Sequence, residues 1–151
     1  MSRLIGLDHG ERRIGVAVAD TETGMAFERP AIRTRSQAAA VAEVGRLLAS
    51  EGADVIVIGL PLHADGSEGA QARRARAFGD ALAQIGATVC YSDERFTSWA
   101  AAEQLGAEGR RAHRSGGEVD SAAARLILQQ YLAALPRRRA NRKPRPRRPH
   151  D

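Results

Sequence analysis

Leu4-Ile5-Gly6-Leu7-Asp8-His9-Gly10-Glu11-Arg12-Arg13-Ile14-Gly15-Val16-Ala17-Val18-Ala19 is the stretch on which the fold turns. Leu4 to Leu7 is a short apolar run that ends on an acid, Asp8, the pattern of a buried strand. His9-Gly10-Glu11 reads as a turn. Ile14, Val16 and Val18 then place a β-branched residue at every other position, the period of a second strand. Two strands so close in sequence form a hairpin and run antiparallel. Residues 25–34 extend the pair into a three-stranded meander, and Pro30 marks an edge or a bulge, because proline has no N–H for the ladder.

Beyond Ser36 the period changes. Ser36 is an N-cap, and Ala40, Val41, Val44, Leu47 and Leu48 fall at helical spacing up to a stop at Gly52. Val55-Ile56-Val57-Ile58-Gly59 is a continuous apolar strand of the kind covered on both faces. Residues 60–66 form a loop at its C-terminal end. Ser67 or Gly66 caps a second helix over 68–85, which Gly86 stops. Ala87 to Tyr91 is another strand, with Asp93-Glu94-Arg95 at its C-terminal end. Thr97 caps a short helix to Leu105, residues 106–117 read as a mobile loop, and Glu118 opens a last helix to Leu135. Val119, Ala123, Leu126, Ile127 and Gln130 are its inward candidates. The order βββ-α-β-α-β-α-α predicts an α/β, RNase H-like fold with a mixed five-stranded sheet flanked by helices.

Pro136 ends the last helix. The chain therefore divides into a domain over 1–135 and a basic tail over 136–151, which has no apolar residue larger than proline and is expected to be disordered. The tail holds eight of the 23 basic residues and one acid, so the net charge of +5 becomes −2 over residues 1–135. Only Lys143 is lysine, a bias from which no function is read. Aromatics at 4% exclude a stacking platform for single-stranded bases. The lone Cys90 excludes an internal disulfide and a zinc cage, and reads as a small buried hydrophobe. No run approaches the ~18–20 apolar residues of a membrane span. The N-terminus lacks the pattern of a signal peptide, so a cytoplasmic protein with no membrane partner is expected.

Three acids fall where chemistry would need them. Asp8 ends the first strand, Glu94 (with Asp93 beside it) follows the last strand, and Asp120 lies in the first turn of the last helix. Clustered carboxylates repel unless a cation sits between them. Mg²⁺ prefers oxygen ligands, and two such ions ~4 Å apart activate a water and stabilise the leaving oxygen of a phosphodiester. Each acid has a plainer reading. Asp120 could complement the helix dipole, and Asp93-Glu94-Arg95 could be a surface turn with a local ion pair. Asp8 is harder to explain structurally.

Four ordered blocks resemble the YqgF/RuvX family. The first is Leu7-Asp8-His9-Gly10-Glu11-Arg12-Arg13-Ile14-Gly15-Val16-Ala17-Val18-Ala19-Asp20. The second is Ile58-Gly59-Leu60-Pro61-Leu62 followed by Asp65-Gly66-Ser67-Glu68. The third is Asp93-Glu94-Arg95-Phe96-Thr97-Ser98. The last is Val119-Asp120-Ser121-Ala122-Ala123-Ala124 with Leu128-Gln129-Gln130-Tyr131-Leu132. Together they span residues 4–135. The family is described as pre-16S rRNA nucleases and as Holliday junction resolvase homologues. The resemblance implies an RNase H-like fold and phosphodiester cleavage with Mg²⁺ or Mn²⁺, with Asp8, Glu94 and Asp120 as catalytic residues and metal ligands. Asp93 stays open as an alternative to Glu94. Arg12 stands where the family often has lysine, which keeps the charge and changes the donor geometry.

Structured nucleic acid is the expected partner, met by a monomer or a homodimer. Arg13, Arg95, Arg110, Arg111 and Arg114 are candidates for backbone contact, against a plain reading of each as solvated surface. His63 and His113 fall in predicted loops; proton transfer by His63 competes with a plain exposed-loop reading. The tail would add salt-dependent contacts without sequence information, or serve only as a solubilising extension. The leading expectation is precursor 16S rRNA processing, with junction resolution as the alternative. Two other classes compete. Asp8-x-Gly10 with Ile14-Gly15-Val16 also resembles the first phosphate loop of actin-like kinases, which need two such domains. A non-catalytic nucleic-acid binder would rely on the tail.

Overall fold

In a computed structural model the described residues are 3–93 and 117–135, with the side chains of 117–120 outside that description. Strand β1 (Arg3–His9) pairs antiparallel with β2 (Arg13–Asp20), from Arg3 opposite Asp20 to His9 opposite Ile14. Strand β3 (Ala26–Arg33) adds antiparallel to β2 and forms the edge. Pro30 and Ala31 lie in a bulge: Val16 pairs with Arg29 and Ile14 with Ile32, so two residues of β3 oppose Gly15. Helix α1 (Gln37–Glu51) starts at Ser36, whose Oγ accepts from the Ala39 N–H at 3.1 Å, and ends at Gly52 in the left-handed region (φ 64°). Both caps agree with the sequence reading.

Strand β4 (Val55–Leu60) then pairs parallel to β1, and β5 (Thr88–Asp93) parallel to β4. The sheet order is β3-β2-β1-β4-β5. This is the mixed five-stranded sheet flanked by helices that the sequence predicts. Helix α2 (Ala70–Gln84) connects β4 to β5. It starts two residues later than expected and is capped by Gly69, not by Ser67 or Gly66. The reason is local: the Ser67 hydroxyl donates to Asp65 Oδ1 at 2.6 Å, and Glu68 is held in a bridge with Leu62. Strand β5 runs on to Asp93, past the expected end at Tyr91, because Ser92 and Asp93 keep pairing with Gly59 and Leu60.

The last helix, α3 (Gly117–Ala134), covers the opposite face of the sheet from α1 and α2. Leu126 and Ile127 are buried as expected, but Ala123 and Gln130 are only partly so, and Val119 has its side chain outside the description. Ala124 and Leu128, which are not among the expected inward residues, are fully buried and pack against Gly6 of β1. Cys90 is half-buried, not buried, with the Tyr131 hydroxyl donating to its Sγ at 3.7 Å. The helix expected over 97–105, the loop to 116 and the tail 136–151 lie outside the described residues. Among the described residues no helix is long and apolar enough to cross a membrane.

Two cores result. Ile5, Leu7, Ile14, Val16, Ile56, Ile58, Phe78 and Leu82 fill the α1/α2 side. Leu4, Ala17, Ala19, Val57, Ala124, Ile127 and Leu128 fill the α3 side, with smaller residues.

Candidate active site

Strands β1, β4 and β5 are parallel, so their C-terminal ends share one edge of the sheet. Asp8 is at that edge, half-buried, opposite Gly15 of β2. Leu4 belongs to the α3-side core and Gly6 touches α3, so strand alternation puts Asp8 on the α3 face. His9 falls on the other face. Its ring centroid is 5.0 Å from that of Phe78, and its carbonyl accepts from Gln71 Nε2 at 3.0 Å. Burial, with the Arg74 charge adding, holds the His9 imidazole below its usual pKa, and its Nδ1 is buried without a hydrogen-bond partner. Arg74 in turn pairs with Glu11 at 3.0 Å. The turn after Asp8 is thereby tied to α2 from the face opposite the acid.

Register separates the two acids at the end of β5. Asp93 pairs with Leu60, and Leu60 belongs to the α1/α2 core. Asp93 is therefore at the right edge and on the wrong face relative to Asp8. Glu94, one residue further, lies outside the described residues. So do Arg95, Arg110, Arg111, Arg114 and His113. Asp120 falls on α3, in its first four residues, with its side chain outside the description. Among the described residues no three His, Cys, Asp or Glu side chains come together, and Asp8 is the one of the three expected acids whose side chain is described.

How α3 is seated decides where Asp120 stands. An added Cβ at Gly6 would lie 2.5 Å from Leu128 Cγ and 2.9 Å from the Ala124 carbonyl oxygen, so helix and strand are in contact there. One turn earlier, the buried Ser121 hydroxyl accepts from the Val16 N–H at 3.5 Å and donates to the Arg29 carbonyl at 2.7 Å. Val16 and Arg29 are partners next to the bulge. The hydroxyl thus bridges two ladder groups that the bulge draws apart, and pins the start of α3 to the sheet at the level of Asp8. Sequence reasoning missed Ser121; Pro30, the mark of the bulge, was the available signal. An oxygen donor set built from carboxylates suits a hard divalent cation, and the half-buried Asp8 at an edge, on the side of the α3 start, fits that role.

Around the edge, the loop after β4 is a tight turn. The His63 N–H donates to the Ser67 carbonyl at 2.9 Å, and Gly66 takes φ 88°. Asp65 accepts from the Ser67 N–H and hydroxyl, which hold its carboxyl below the ordinary range. His63 is exposed, with its ring against Gly69 at the start of α2, which agrees with the plain loop reading. Arg13 is partly exposed at the start of β2, next to the edge that carries Asp8.

Comparison with known proteins agrees with this architecture. Residues 2–134 match the family described as "RuvX: Holliday junction resolvase". A protein of Chloroflexus aggregans named "Putative pre-16S rRNA nuclease" is 41% identical over 132 residues, covering 87% of this chain and 93% of its own. One of the same name from Anaeromyxobacter is 41% identical over 131 residues, covering 86% and 96%. A solved structure of T. thermophilus RuvC in complex with a Holliday junction substrate superposes with a TM-score of 0.56 at 14% identity, covering 89% of this chain and 95% of the other, a likeness of fold. By these matches the chain belongs to the RuvX family.

Proposed function

We propose that this nuclease hydrolyses phosphodiester bonds of structured RNA, precursor 16S rRNA foremost, with Mg²⁺ or Mn²⁺ held by Asp8, Glu94 and Asp120. The observation that carries the reading is the position of Asp8 at the C-terminal edge of β1, on the face where α3 begins. The opposite facing of Asp93 favours Glu94 as the acid from the end of β5. The names of the two relatives favour the RNA substrate. When bound, the cation would supply a water of lowered pKa and stabilise charge on the leaving oxygen.

The chain's own part is positioning. Pairing with Gly15 of β2 fixes the backbone of Asp8, with Leu7 before it paired to β4, and the Gln71 and Arg74 contacts hold the turn that follows it. The Ser121 bridge and the Gly6 contact set the helix that carries Asp120. Arg13, with Arg95, Arg110, Arg111 and Arg114, would hold the nucleic-acid backbone, and the basic tail over 136–151 would add affinity. The protein would work in the cytoplasm, as a monomer for RNA trimming.

Junction DNA is the second reading, favoured by the description of the family. Symmetric cutting of a junction would need a homodimer. Full-length protein is incubated with precursor rRNA and with a four-way junction, in Mg²⁺ and in Mn²⁺, beside Asp8→Asn. The expected result is RNA cleavage by the parent and a loss of at least about a hundredfold in the variant, since even indirect changes around metal ligands act on that scale. Cleavage that survives Asp8→Asn sinks the site. Preferential junction cutting by a dimer replaces the RNA reading with the second one.

A further inference from the structure

Beside the edge that carries Asp8, the next two strands, β2 and β3, form a second feature. Pairing of β2 with β3 sets Arg13 opposite Arg33, and the Thr34 N–H donates to the Arg12 carbonyl at 2.9 Å. These links bring Arg12, Arg13, Arg33, Thr34 and Arg35 around a cavity of about 370 Å³. None of the four guanidinium groups has an ion-pair or side-chain hydrogen-bond partner among the described residues. Five other arginines are ion-paired: Arg3 and Arg29 with Glu51, Arg46 with Glu43, Arg74 with Glu11, and Arg76 with Glu68. The Thr34 hydroxyl, at the same place, is buried without a partner. A second cavity of about 570 Å³, lined by Arg33, Arg35 and Arg46 with Glu43, continues the basic strip along α1.

Four cations around one space repel one another, and an anion between them relieves that cost. The guanidinium fork matches phosphate oxygens, and Thr34 offers a further donor. Position matters more than the choice of arginine, since nearly every basic residue of the chain is arginine. Arg12 and Arg13 stand at the start of the strand next to β1, and Arg33 is two strand spacings, about 10 Å, from β1, so the cavity runs away from Asp8 across the sheet edge. We propose that it binds a neighbouring backbone phosphate of the substrate and sets the register of the strand across the sheet edge. The contact would orient the nucleic acid without reading its sequence. This rests on the nuclease reading, and it adds Arg12, Arg33 and Arg35 to the residues that touch substrate.

The test measures binding of a labelled structured RNA in Asp8→Asn full-length protein over a series of salt concentrations. Arg33→Gln/Arg35→Gln is compared with Arg33→Lys/Arg35→Lys. Each phosphate contact contributes roughly 0.7–0.9 to the slope of log affinity against log salt. The glutamine pair should lower that slope by about 1.5 and weaken binding roughly tenfold at ~0.1 M salt, while the lysine pair keeps the slope. Thermal unfolding checks that both variants fold. Unchanged slope and affinity in the glutamine pair overturn the phosphate site and leave the nuclease intact. A parallel titration with inorganic phosphate separates sources: stabilisation that needs Arg33 and Arg35, with an unchanged RNA slope, means a free-phosphate site and also overturns the proposal. If the parent neither binds nor cuts RNA or junction DNA, the nuclease reading itself fails, and the substrate role of the cavity with it.

Discussion

Gly6 and Gly79 each let a helix close on the sheet, from opposite faces, and what presses on each glycine differs. An added Cβ at Gly6, in β1, meets the Leu128 side chain and the backbone carbonyl of Ala124. At Gly79, in α2, every atom met belongs to a side chain: the Tyr91 hydroxyl first, at the far end of a side chain that can swing, then the tip of Ile58 at 3.2 Å. On the α3 face, backbone stands against backbone, and relief requires the helix to move. On the α1/α2 face a ring moves instead. The tight face is also the one that carries Asp8 and the start of α3. On the proposed site, close packing there would fix two elements whose acids have to meet within about half an ångström of the geometry that a shared cation needs. The looser face holds most of the large core side chains and supplies bulk stability.

Gly6→Ala should therefore have the largest effect. Overpacking of this kind costs about 1–3 kcal/mol. A Tm lower by roughly 2–4 °C for each kcal/mol should be visible by calorimetry. Cleavage measured well below the Tm should fall further than the folded fraction does, because α3 is pushed away from the strand that holds Asp8. A Gly6→Ala protein with parental Tm and parental cleavage would mean that the close approach has no role in the site.

Ser121→Ala is the next step down. It removes the hydroxyl that joins the Val16 N–H to the Arg29 carbonyl and takes that partner from a buried donor and a part-buried acceptor, at a cost of about 1–2 kcal/mol. The effect on cleavage should appear as a higher metal concentration for half-maximal rate, since the start of α3 is no longer pinned beside the bulge. Ser121→Thr keeps the hydroxyl and should recover part of both losses. If Ser121→Ala lowers the Tm but leaves the metal requirement untouched, the bridge is structural only.

The sequence revealed these two faces unequally. The meander, the two helical caps of α1 and the parallel strand β4 were legible because each rests on local chemistry: β-branched alternation, a serine before a helical run, a glycine after it, an unbroken apolar stretch. The resemblance over four blocks supplied the family. What stayed hidden depends on pairing between distant segments. That Asp93 faces α1/α2 follows from its register with Leu60, and nothing in Asp93-Glu94-Arg95 by itself reveals it. The Ala124/Leu128 stripe was missed because the helix is apolar on more than one side, so periodicity could not pick the stripe that meets Gly6. The arginine cavity was invisible for the same reason: Arg13 was singled out, but Arg33 joins it only through the β2–β3 ladder.

Gly79→Ala is expected to change least, and its smallness is informative. Alanine is favoured over glycine inside a helix by about 1 kcal/mol. Against that gain stands displacement of the Tyr91 ring, whose hydroxyl makes one long hydrogen bond to the Arg76 carbonyl at 3.5 Å and whose face carries the Arg76 guanidinium at 4.8 Å. Both contacts are near the surface and contribute little, so the two effects should cancel to within about 0.5 kcal/mol. Tyr91 is on the α2 side of β5, away from Asp8, so cleavage should equal that of the parent. A loss of activity in Gly79→Ala without a loss of Tm would show that the α2 face also transmits strain to the edge, and would remove the distinction between a face that positions the acids and a face that only supports the sheet.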